Sequence, residues 1–317
     1  MSQLTNFDTM FSLEGKSALV TGGSRGLGLH MATAFLHSGC SLVIITARKR
    51  QGEQGLDQAV QRLNSLPGIR GKAIGIAANV ADSDGIVRLT AEVEQHLGNR
   101  GLSILVCNAG AAWGSRFEDA PPSSSIKILD LNVRGVFELV QKSLPLLERS
   151  ASKDDPARVL VISSTAGNNV PHVGEHGTIM YSTSKAAANH LARNLAVELG
   201  PKNITTNIIA PGFFPSKLAQ GLINNLGGID GLSKDNPMGR LGKPEDIAGV
   251  AVFLCSRAGG YVNGVEIAID GAARLIKLTS IYGRMQNKIT LYQGEDLVVQ
   301  LRLHLWIIRD LRADGLL

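Results

Sequence analysis

The sequence predicts an α/β fold in which a single parallel sheet is doubly wound, with helices packed on both of its faces. Short apolar runs recur along most of the chain, and helical patterns separate them. This alternation is typical of parallel strands joined by crossover helices. The composition agrees, because 36 glycines and 44% hydrophobic residues suit a compact domain with short loops. We expect one domain over residues 1–273, followed by a C-terminal extension at residues 274–317.

The predicted strands are apolar runs bounded by turn-forming residues, the pattern of strands buried on both faces. They lie at residues 17–21, 41–46, 71–78, 102–107, 158–163, 204–210 and 265–270. Apolar residues at helical spacing occur between them, for example at residues 29–37, 85–97 and 133–144. The Pro/Ser cluster at residues 121–125 is too short to link two domains, so we expect no earlier boundary.

The net charge does not indicate a nucleic-acid partner. The chain carries +5, but seven basic and four acidic residues fall at positions 274–317, so +3 of that charge lies in the extension. The remaining body is nearly neutral and has no basic stripe interleaved with aromatic residues. We therefore expect no binding of nucleic acid.

Cysteine usage and hydropathy indicate the compartment. Cys40, Cys107 and Cys255 are widely separated and form no Cys-x-x-Cys pair, which argues against a disulfide framework and against a zinc site. The N-terminus lacks a basic region followed by an apolar run, and no stretch of about 18 uncharged apolar residues occurs. We expect a cytoplasmic protein without a membrane span.

A glycine-rich turn, Gly22-Gly-Ser-Arg-Gly-Leu-Gly28, joins the first apolar run to the first helical pattern. Glycines at this place allow a tight turn and let a pyrophosphate approach the amides at the helix N-terminus. We predict a dinucleotide site and hence a Rossmann-type sheet, although an ordinary glycine-rich turn would have a similar sequence. The residues assigned to the cofactor here are Gly22, Ser24, Arg25, Gly26, Leu27 and Gly28.

Two arginines indicate which dinucleotide binds. Arg48 follows the second strand, where an acidic residue would bind the ribose hydroxyls of NAD, and Arg25 lies inside the glycine turn. A planar, permanently charged guanidinium suits the 2′-phosphate of NADPH instead. We therefore predict NADPH/NADP+ as the cofactor, with solvated surface charges as the alternative explanation of the two arginines.

Tyr181 and Lys185 provide the chemistry. They are four residues apart at the start of a helical pattern, so their side chains lie on the same face of the helix. An ammonium beside a phenol would stabilise the phenolate and lower the pKa of Tyr181, which would suit it to acid-base catalysis. Such pairs also occur by chance on surface helices, so the surrounding motifs must show whether this pair is catalytic.

Other polar groups follow predicted strands at the edge where ligands of open parallel sheets bind. The small residues Asn108, Ala109 and Gly110 follow the fourth strand, and Ser164 follows the fifth. We expect the first three to lie against the cofactor, and Ser164 to donate a hydrogen bond to a substrate oxygen.

Taken together, these residues resemble the short-chain dehydrogenase/reductase family over about residues 13–273. The motifs are Thr21-Gly-x-x-x-Gly26-x-Gly28, Asn108-Ala-Gly110, Asn132 within Leu-Asn-Val, Ser164, Tyr181-x-x-x-Lys185 and Pro211-Gly212. Within the family, residues 210–216 and 237–242 are similar to NADPH-dependent 3-oxoacyl-carrier-protein reductases, the rhamnolipid type of β-ketoacyl reductase in particular.

The resemblance implies roles for four residues. Tyr181 would protonate the carbonyl oxygen as hydride leaves the nicotinamide, and Lys185 would hold the ribose hydroxyls and depress the pKa of Tyr181. Ser164 would polarise the carbonyl, and Asn132 would anchor a water in the proton relay. The further residues that it assigns to the cofactor are Asn79, Val80, Asn108, Ala109, Gly110, Tyr181, Lys185, Pro211, Gly212 and Ser216.

The resemblance also implies a homodimer or homotetramer. The expected contacts are the helices at residues 134–148 and 180–199 and the final strand at residues 265–270. We expect the apolar face of the second helix to form the first contact. That face carries Ala188, Leu191, Ala192, Leu195 and Leu199.

Three departures from the family pattern bear on the site. Asn79 stands where an aspartate is usual, which alters the expected contact to the adenine amine, and Ser216 replaces a threonine. The loop at 165–180 is longer than usual and contains His172-x-x-Glu175-His176, a metal pattern that requires a helix. Glycines and a proline around it disfavour a helix, so we expect no metal site. We expect this loop, Trp113 and residues 213–225 to line the substrate pocket.

Three functions fit these residues. The first is an NADPH-dependent reductase of a ketone, of the β-ketoacyl or a related class, with Tyr181 as proton donor. The second is an NAD(P)-dependent alcohol dehydrogenase working oxidatively, and the third is a cofactor-binding regulator without turnover. The intact set of catalytic residues argues against the third. Residues 274–317, which include the apolar run at 297–308, have no counterpart in the family pattern and no assigned role.

Overall fold

A computed structural model describes residues 7–170 and 172–276 of the 317-residue chain. Its centre is one sheet of seven strands, all parallel, in the order β3-β2-β1-β4-β5-β6-β7. The strands are β1 Ser17–Thr21, β2 Leu42–Ala47, β3 Lys72–Ala77, β4 Ile104–Cys107, β5 Ala157–Ile162, β6 Ile204–Pro211 and β7 Glu266–Ile269. The order reverses between β1 and β4, which makes the sheet doubly wound, as the sequence predicts.

Nine α-helices in the described part of the chain connect or flank the strands. They are α1 Gly26–His37, α2 Leu56–Asn64, α3 Ser83–Leu97, α4 Pro122–Leu129, α5 Gly135–Ser150, α6 Ile179–Leu199, α7 Gln220–Asn225, α8 Gly228–Lys234 and α9 Pro244–Cys255. A π-helical turn, Asp130–Arg134, joins α4 to α5, and short 3-10 turns lie at Thr165–Gly167 and Gly174–His176. None of the described helices is long and apolar enough to cross a membrane.

The core consists of two layers, one on each face of the sheet. Side chains of α3, α5 and α6 pack on one face, and those of α1, α2 and α9 pack on the other. Neighbouring residues of β1 illustrate this alternation, because Leu19 belongs to the first layer and Val20 to the second. Both are fully buried, which explains why the strands read as continuous apolar runs.

The start of α1 differs from the sequence-based expectation in a way that affects the site. The helical pattern suggested a beginning near Leu29, whereas α1 begins at Gly26, inside the glycine turn. Glycine has low helix propensity, so the sequence alone could not extend the helix through it. The N-terminus of α1 therefore lies at the turn itself.

The apolar face of α6 also differs from the prediction. Ala188, Ala192, Leu195 and Leu199 are buried in the core layer that packs on the sheet, and Leu191 packs against the same layer. The prediction that this face forms a subunit contact is wrong, because the same side chains already cover the sheet within one chain. The outward face of α6 carries Val197, which is 79% exposed.

Backbone contacts group residues 1–272 into one unit and residues 273–317 into another. The sheet and all nine helices belong to the first unit. Of the second, the described part is a 3-10 turn at Ala273–Leu275 and Ile276. From residue 277 onward, the extension proposed from the sequence, including its apolar run at residues 297–308, lies outside the described residues.

Candidate active site

The predicted site residues meet at the carboxyl ends of the strands, beginning with the glycine turn between β1 and α1. Gly22 has a φ of +64°, a conformation that residues with a side chain rarely adopt. A Cβ on Gly28 would lie 2.5 Å from the Gly22 carbonyl oxygen and 2.6 Å from Asn108 Nδ2. Only glycine allows this close packing of α1 against the turn.

Asn108 fastens this turn to the end of β4. Its Nδ2 donates hydrogen bonds to the carbonyl oxygens of Thr21, at 2.8 Å, and Gly22, at 3.2 Å. The hydroxyl of Thr21 accepts from the backbone amides of Asn108 and Ala109, each at 3.0 Å. The side chain of Asn108 thus shapes the turn, a more structural role than the predicted place against the cofactor.

The N-terminus of α1 can bind an anion. Amides in the first turn of a helix have no partner within the helix, and the helix dipole favours negative charge there. The residue before α1 is Arg25, whose exposed side chain donates to Gln54 Oε1 at 3.3 Å. Ser216, after β6, lies near this point, because a Cβ on Gly26 would be 3.8 Å from Ser216 Cβ.

A cavity of about 330 Å³ lies beside the ends of β2 and β3. Arg48 and Asn79, both predicted cofactor residues, line it together with Arg88, Leu89 and Glu92 of α3. The last three were missed by the sequence reasoning, although their spacing places them on one face of a helix. Arg25 is not among these lining residues, and its assignment to the cofactor phosphate stays a prediction.

Asn79 occupies the position where an aspartate is usual in the family, and its side chain is engaged locally. Its Oδ1 accepts a hydrogen bond of 3.3 Å from the amide of Ala81. Val80 is buried, and a Cβ on Gly135 would lie 2.2 Å from the Val80 carbonyl oxygen. The start of α5 therefore packs directly on this segment.

Pro211 and Gly212 stand at the end of β6, beside β7. The amide of Gly212 donates to the Ile269 carbonyl oxygen at 2.9 Å, and a Cβ on Gly212 would lie 2.7 Å from Asp270 Cβ. Glycine is required here because the backbone passes so close to Asp270. The segment that follows, up to Ser216, is held on the crevice side of the sheet.

Tyr181, Ser164 and Lys185 converge at the N-terminal part of α6. The Lys185 ammonium lies 5.8 Å from the centre of the Tyr181 ring and donates a 2.9 Å hydrogen bond to the Ile162 carbonyl oxygen. The side chain of Ser164, which follows β5, lies close enough to the Tyr181 phenol to lower its pKa. Lys185 is only 6% exposed, and no carboxylate in the described residues pairs with it.

The pKa values of this pair shift in opposite directions. Burial of Lys185 lowers the pKa of its ammonium to about 8. Burial of Tyr181 raises the pKa of its phenol, and the Ser164 side chain lowers it by a smaller amount. The net shift is opposite to the predicted lowering because burial outweighs it, and the effect of Lys185 on the Tyr181 pKa stays a prediction.

Asn132 lies in the π-helical turn between α4 and α5, a feature common at functional sites. Its amide exchanges two 2.9 Å hydrogen bonds with the backbone of Ala111, and its Nδ2 donates to Ser184 Oγ at 3.0 Å. A Cβ on Gly110 would lie 3.4 Å from Asn132 Oδ1 and 3.6 Å from Lys185 Nζ. Asn132 is thus brought near Lys185, on the other side of Gly110; its role toward a water stays a prediction.

The loop before α6 contacts two other loops at this end of the sheet. The rings of His172 and Phe213 are 6.2 Å apart, and the amide of Ser115 donates to the Gly177 carbonyl oxygen at 3.0 Å. Residues Gly174–His176 form a 3-10 turn and not an α-helix, so the spacing of the metal pattern is not realised on a helix face. Within residues 7–170 and 172–276, no three His, Cys, Asp or Glu side chains are grouped for a metal.

Comparisons with known proteins agree with this geometry. Residues 22–272 match the family model described as "Enoyl-(Acyl carrier protein) reductase". The chain belongs to the short-chain dehydrogenase/reductase family. It is therefore an oxidoreductase, which confirms both the family and the enzyme class predicted from the sequence.

Several individual relatives are similar over the same region. The rhamnolipids biosynthesis 3-oxoacyl-[acyl-carrier-protein] reductase of Pseudomonas aeruginosa is 42% identical over 265 residues, covering 84% of this chain and 98% of the relative. A 3alpha-hydroxysteroid dehydrogenase of Mediterraneibacter gnavus is 33% identical over 263 residues, covering 83% and 98%. These names show that family members similar to this chain act on different substrates.

Solved structures give the same result for the fold. The P. aeruginosa RhlG/NADP active-site complex superposes with a TM-score of 0.75 at 41% identity, covering 84% of this chain and 99% of that one. A short-chain type dehydrogenase/reductase from Mycobacterium marinum gives a TM-score of 0.74 at 31% identity, covering 83% and 97%. The doubly wound fold predicted from the sequence is confirmed.

Proposed function

We propose that the protein is an NADPH-dependent reductase that transfers a hydride to a ketone, of the β-ketoacyl or a related class, with Tyr181 as proton donor. The observation that carries this proposal is the convergence of Tyr181, Ser164 and Lys185, with Lys185 buried, its ammonium over the Tyr181 ring, and the Ser164 side chain close to the phenol. A surface pair at this spacing would be solvated and would not be linked to a third polar group.

The residues present fit a dinucleotide. The glycine turn lets a pyrophosphate approach the N-terminus of α1, and the cavity beside β2 and β3 has room for an aromatic base. When bound, the cofactor supplies the hydride for the carbonyl carbon. Its ribose would be held by Tyr181 and Lys185, whose ammonium has hydrogen-bonding capacity beyond its bond to Ile162.

Arg48 supports NADPH over NADH. It is exposed at the end of β2 and lines the cavity assigned to the base, where a guanidinium can bind the 2′-phosphate in a bidentate way. The similar P. aeruginosa structure is described as a complex with NADP. Arg25, the other arginine assigned to this phosphate, is exposed just before α1 and would supply a second positive charge.

The same geometry indicates where the proton for the carbonyl oxygen comes from. The carbonyl oxygen gains negative charge as hydride arrives, and Tyr181 would give it the phenolic proton while Ser164 donates a second hydrogen bond. The raised pKa of Tyr181 keeps the phenol protonated at neutral pH, which suits a proton donor. Lys185 would then stabilise the phenolate once a ligand brings its ammonium toward the oxygen.

The test measures turnover of a panel of substrates, which is monitored as the loss of NADPH absorbance. Three ketone classes should be compared: β-ketoacyl thioesters, polycyclic phenolic ketones and sugar ketones. We expect the β-ketoacyl thioesters to be reduced fastest, and the Tyr181→Phe protein to be inactive on each. Faster oxidation of the matching alcohols with NAD+ would favour the oxidative dehydrogenase instead. NADPH binding without turnover on any panel member would favour the regulator.

We also propose that the enzyme acts in the cytoplasm as a homodimer or homotetramer. The three cysteines are free and buried, and burial raises the pKa of Cys40 and of Cys107 to about 12, so neither thiol is reactive. This agrees with a reducing compartment. Exposed apolar side chains on helices, such as Phe137 of α5, provide surfaces that a second copy could bury.

A further inference from the structure

One face of α6 carries both the catalytic pair and two further polar residues. Tyr181, Lys185, Asn189 and Arg193 follow one another at intervals of four, so their side chains form a single row along the helix. The first two residues belong to the proposed reaction. The proposed mechanism does not use Asn189 and Arg193, yet both join a hydrogen-bonded network that leads back to Ser164.

The turn that begins at Ser164 packs directly on this row. It is one 3-10 turn, closed by hydrogen bonds from Gly167 to Ser164 and from Asn168 to Thr165. A Cβ on Gly167 would lie 2.9 Å from the backbone carbon of Lys185, so the turn and the helix are in close backbone contact. Fixing the end of so short a turn also fixes Ser164, at its start.

Asn168, at the end of the turn, links three elements. Its Oδ1 accepts a 3.1 Å hydrogen bond from Asn189 of α6, and its Nδ2 donates to Glu266 of β7. Glu266 also forms a 2.8 Å ion pair with Arg193 of α6, and its side chain is only 12% exposed. The carboxylate therefore holds both the turn and the helix at the edge of the sheet.

We propose that Asn168 and Glu266 are positioning residues for the reaction, which hold the turn bearing Ser164 against the helix bearing Tyr181 and Lys185. The inference rests on the proposed function. Its physical reason is that Ser164 and Tyr181 belong to two separate elements, yet both must reach one carbonyl oxygen, so the spacing of the elements must hold within a few tenths of an ångström. Neither positioning residue touches the reacting atoms.

The network makes a specific prediction about Tyr181. The Ser164 side chain lowers the pKa of the Tyr181 phenol, so a loosened turn that moves Ser164 away would raise the pKa of Tyr181 further. Removal of Asn168 or Glu266 should therefore change the titration of a residue that neither of them contacts. A merely structural role would lower the stability of the protein without moving this titration.

The experiment compares Asn168→Ala, Glu266→Ala and Glu266→Gln in the full chain. Glu266→Gln keeps an oxygen that accepts from Asn168, so it should behave nearly as the wild type, whereas the two alanine variants should not. The matched control is Glu148→Gln, which removes another surface ion pair, the one with Lys202 just beyond the far end of α6. Two properties are measured: the phenolate absorbance that Tyr181→Phe removes, as a function of pH, and turnover of acetoacetyl-coenzyme A with NADPH.

We expect the alanine variants to shift the Tyr181 titration to higher pH and to reduce turnover by about tenfold, with NADPH affinity within about twofold of the wild type. The control should change neither property. An unchanged titration in both alanine variants would overturn the proposal, as would an equal effect of the Glu148→Gln control. If the wild type fails to reduce any panel ketone, the proposed function fails, but the titration still decides the positioning role.

Discussion

Lys185 Nζ lies over the ring of Tyr181, 5.8 Å from its centre, and donates a hydrogen bond of 2.9 Å to the carbonyl oxygen of Ile162. This geometry orders the two side chains without placing the ammonium on the phenol oxygen. It keeps Tyr181 protonated while holding a cation nearby for the moment when the phenolate forms. The first two predictions concern these two residues.

Tyr181→Phe removes the phenol while keeping the ring, so the proton donor is lost with little change of shape. We expect turnover to fall at least about a hundredfold while NADPH binding persists. Turnover of the ketone panel and NADPH fluorescence titration measure the two effects. Tyr261→Phe is the matched control, because that side chain is fully exposed and should leave both quantities unchanged. Near-normal turnover in the Tyr181→Phe protein would exclude the proposed mechanism.

Lys185→Met should stabilise the cofactor-free protein at neutral pH. Burial lowers the pKa of Lys185 from its ordinary value of 10.5 to about 8, so below pH 8 the folded state bears the cost of a buried charge. Between these two values the unfolded chain binds more protons than the folded one, and wild-type stability rises with pH. We expect a gain of about 2 kcal/mol for Lys185→Met at pH 7, allowing for the lost hydrogen bond to Ile162.

Urea unfolding at pH 7 and at pH 10.5 would measure this difference. The gain should shrink at the higher pH, where the folded wild-type lysine is neutral and the unfolded one is about half deprotonated. The same substitution should abolish turnover and weaken NADPH binding, because Lys185 is assigned to the ribose and to Tyr181. If the difference in unfolding free energy between the two proteins does not change with pH, the buried charge of Lys185 does not destabilise the folded state.

Arg48 should set the cofactor preference. NADPH should bind at least about tenfold more tightly than NADH, a difference of about 1.4 kcal/mol, and Arg48→Asp should abolish or reverse it. Arg62→Asp makes the same change of charge on the exposed side of α2 and should keep the preference. The dissociation constants of NADPH and NADH for each variant measure this preference. If Arg48→Asp still prefers NADPH, Arg48 does not bind the 2′-phosphate.

The sheet could be predicted from the sequence because parallel strands buried on both faces read as continuous apolar runs. Catalytic residues could be predicted because Tyr181 and Lys185 share a helix, where spacing alone determines their neighbourhood. The pKa direction of Tyr181 could not, since it depends on how far the folded chain buries the phenol. Arg88 and Glu92 were missed for a similar reason, because the cavity they line exists only once α3 packs beside β3.

The apolar face of α6 illustrates a different limit. An apolar stripe on a helix shows that the stripe is buried, but not whether the sheet of its own chain or a second copy covers it. Here Ala188 and Ala192 are covered by the sheet. A subunit contact must therefore use side chains that remain exposed once the monomer has folded.

This reasoning gives the last prediction, on assembly. Phe137, near the start of α5, is 45% exposed and Val197, near the end of α6, is 79% exposed, so both remain available to a second copy once the monomer has folded. We expect a helix-mediated dimer in which such residues are buried, so that Phe137→Glu, which places a charge in the contact, should give monomers. Val87→Glu on α3, where the wild-type side chain is 49% exposed, is the matched control and should leave the assembly intact.

Light scattering on the full chain and on a chain ending at Ala273 would separate the helix contact from the extension. We expect both to form at least dimers, with the extension weakening or remodelling a further contact at β7 that would complete a tetramer. Identical tetramers for both chains would show that the extension takes no part in assembly. Monomers of the shortened chain would show that the extension is itself the interface, and an intact dimer of Phe137→Glu would exclude α5 from it.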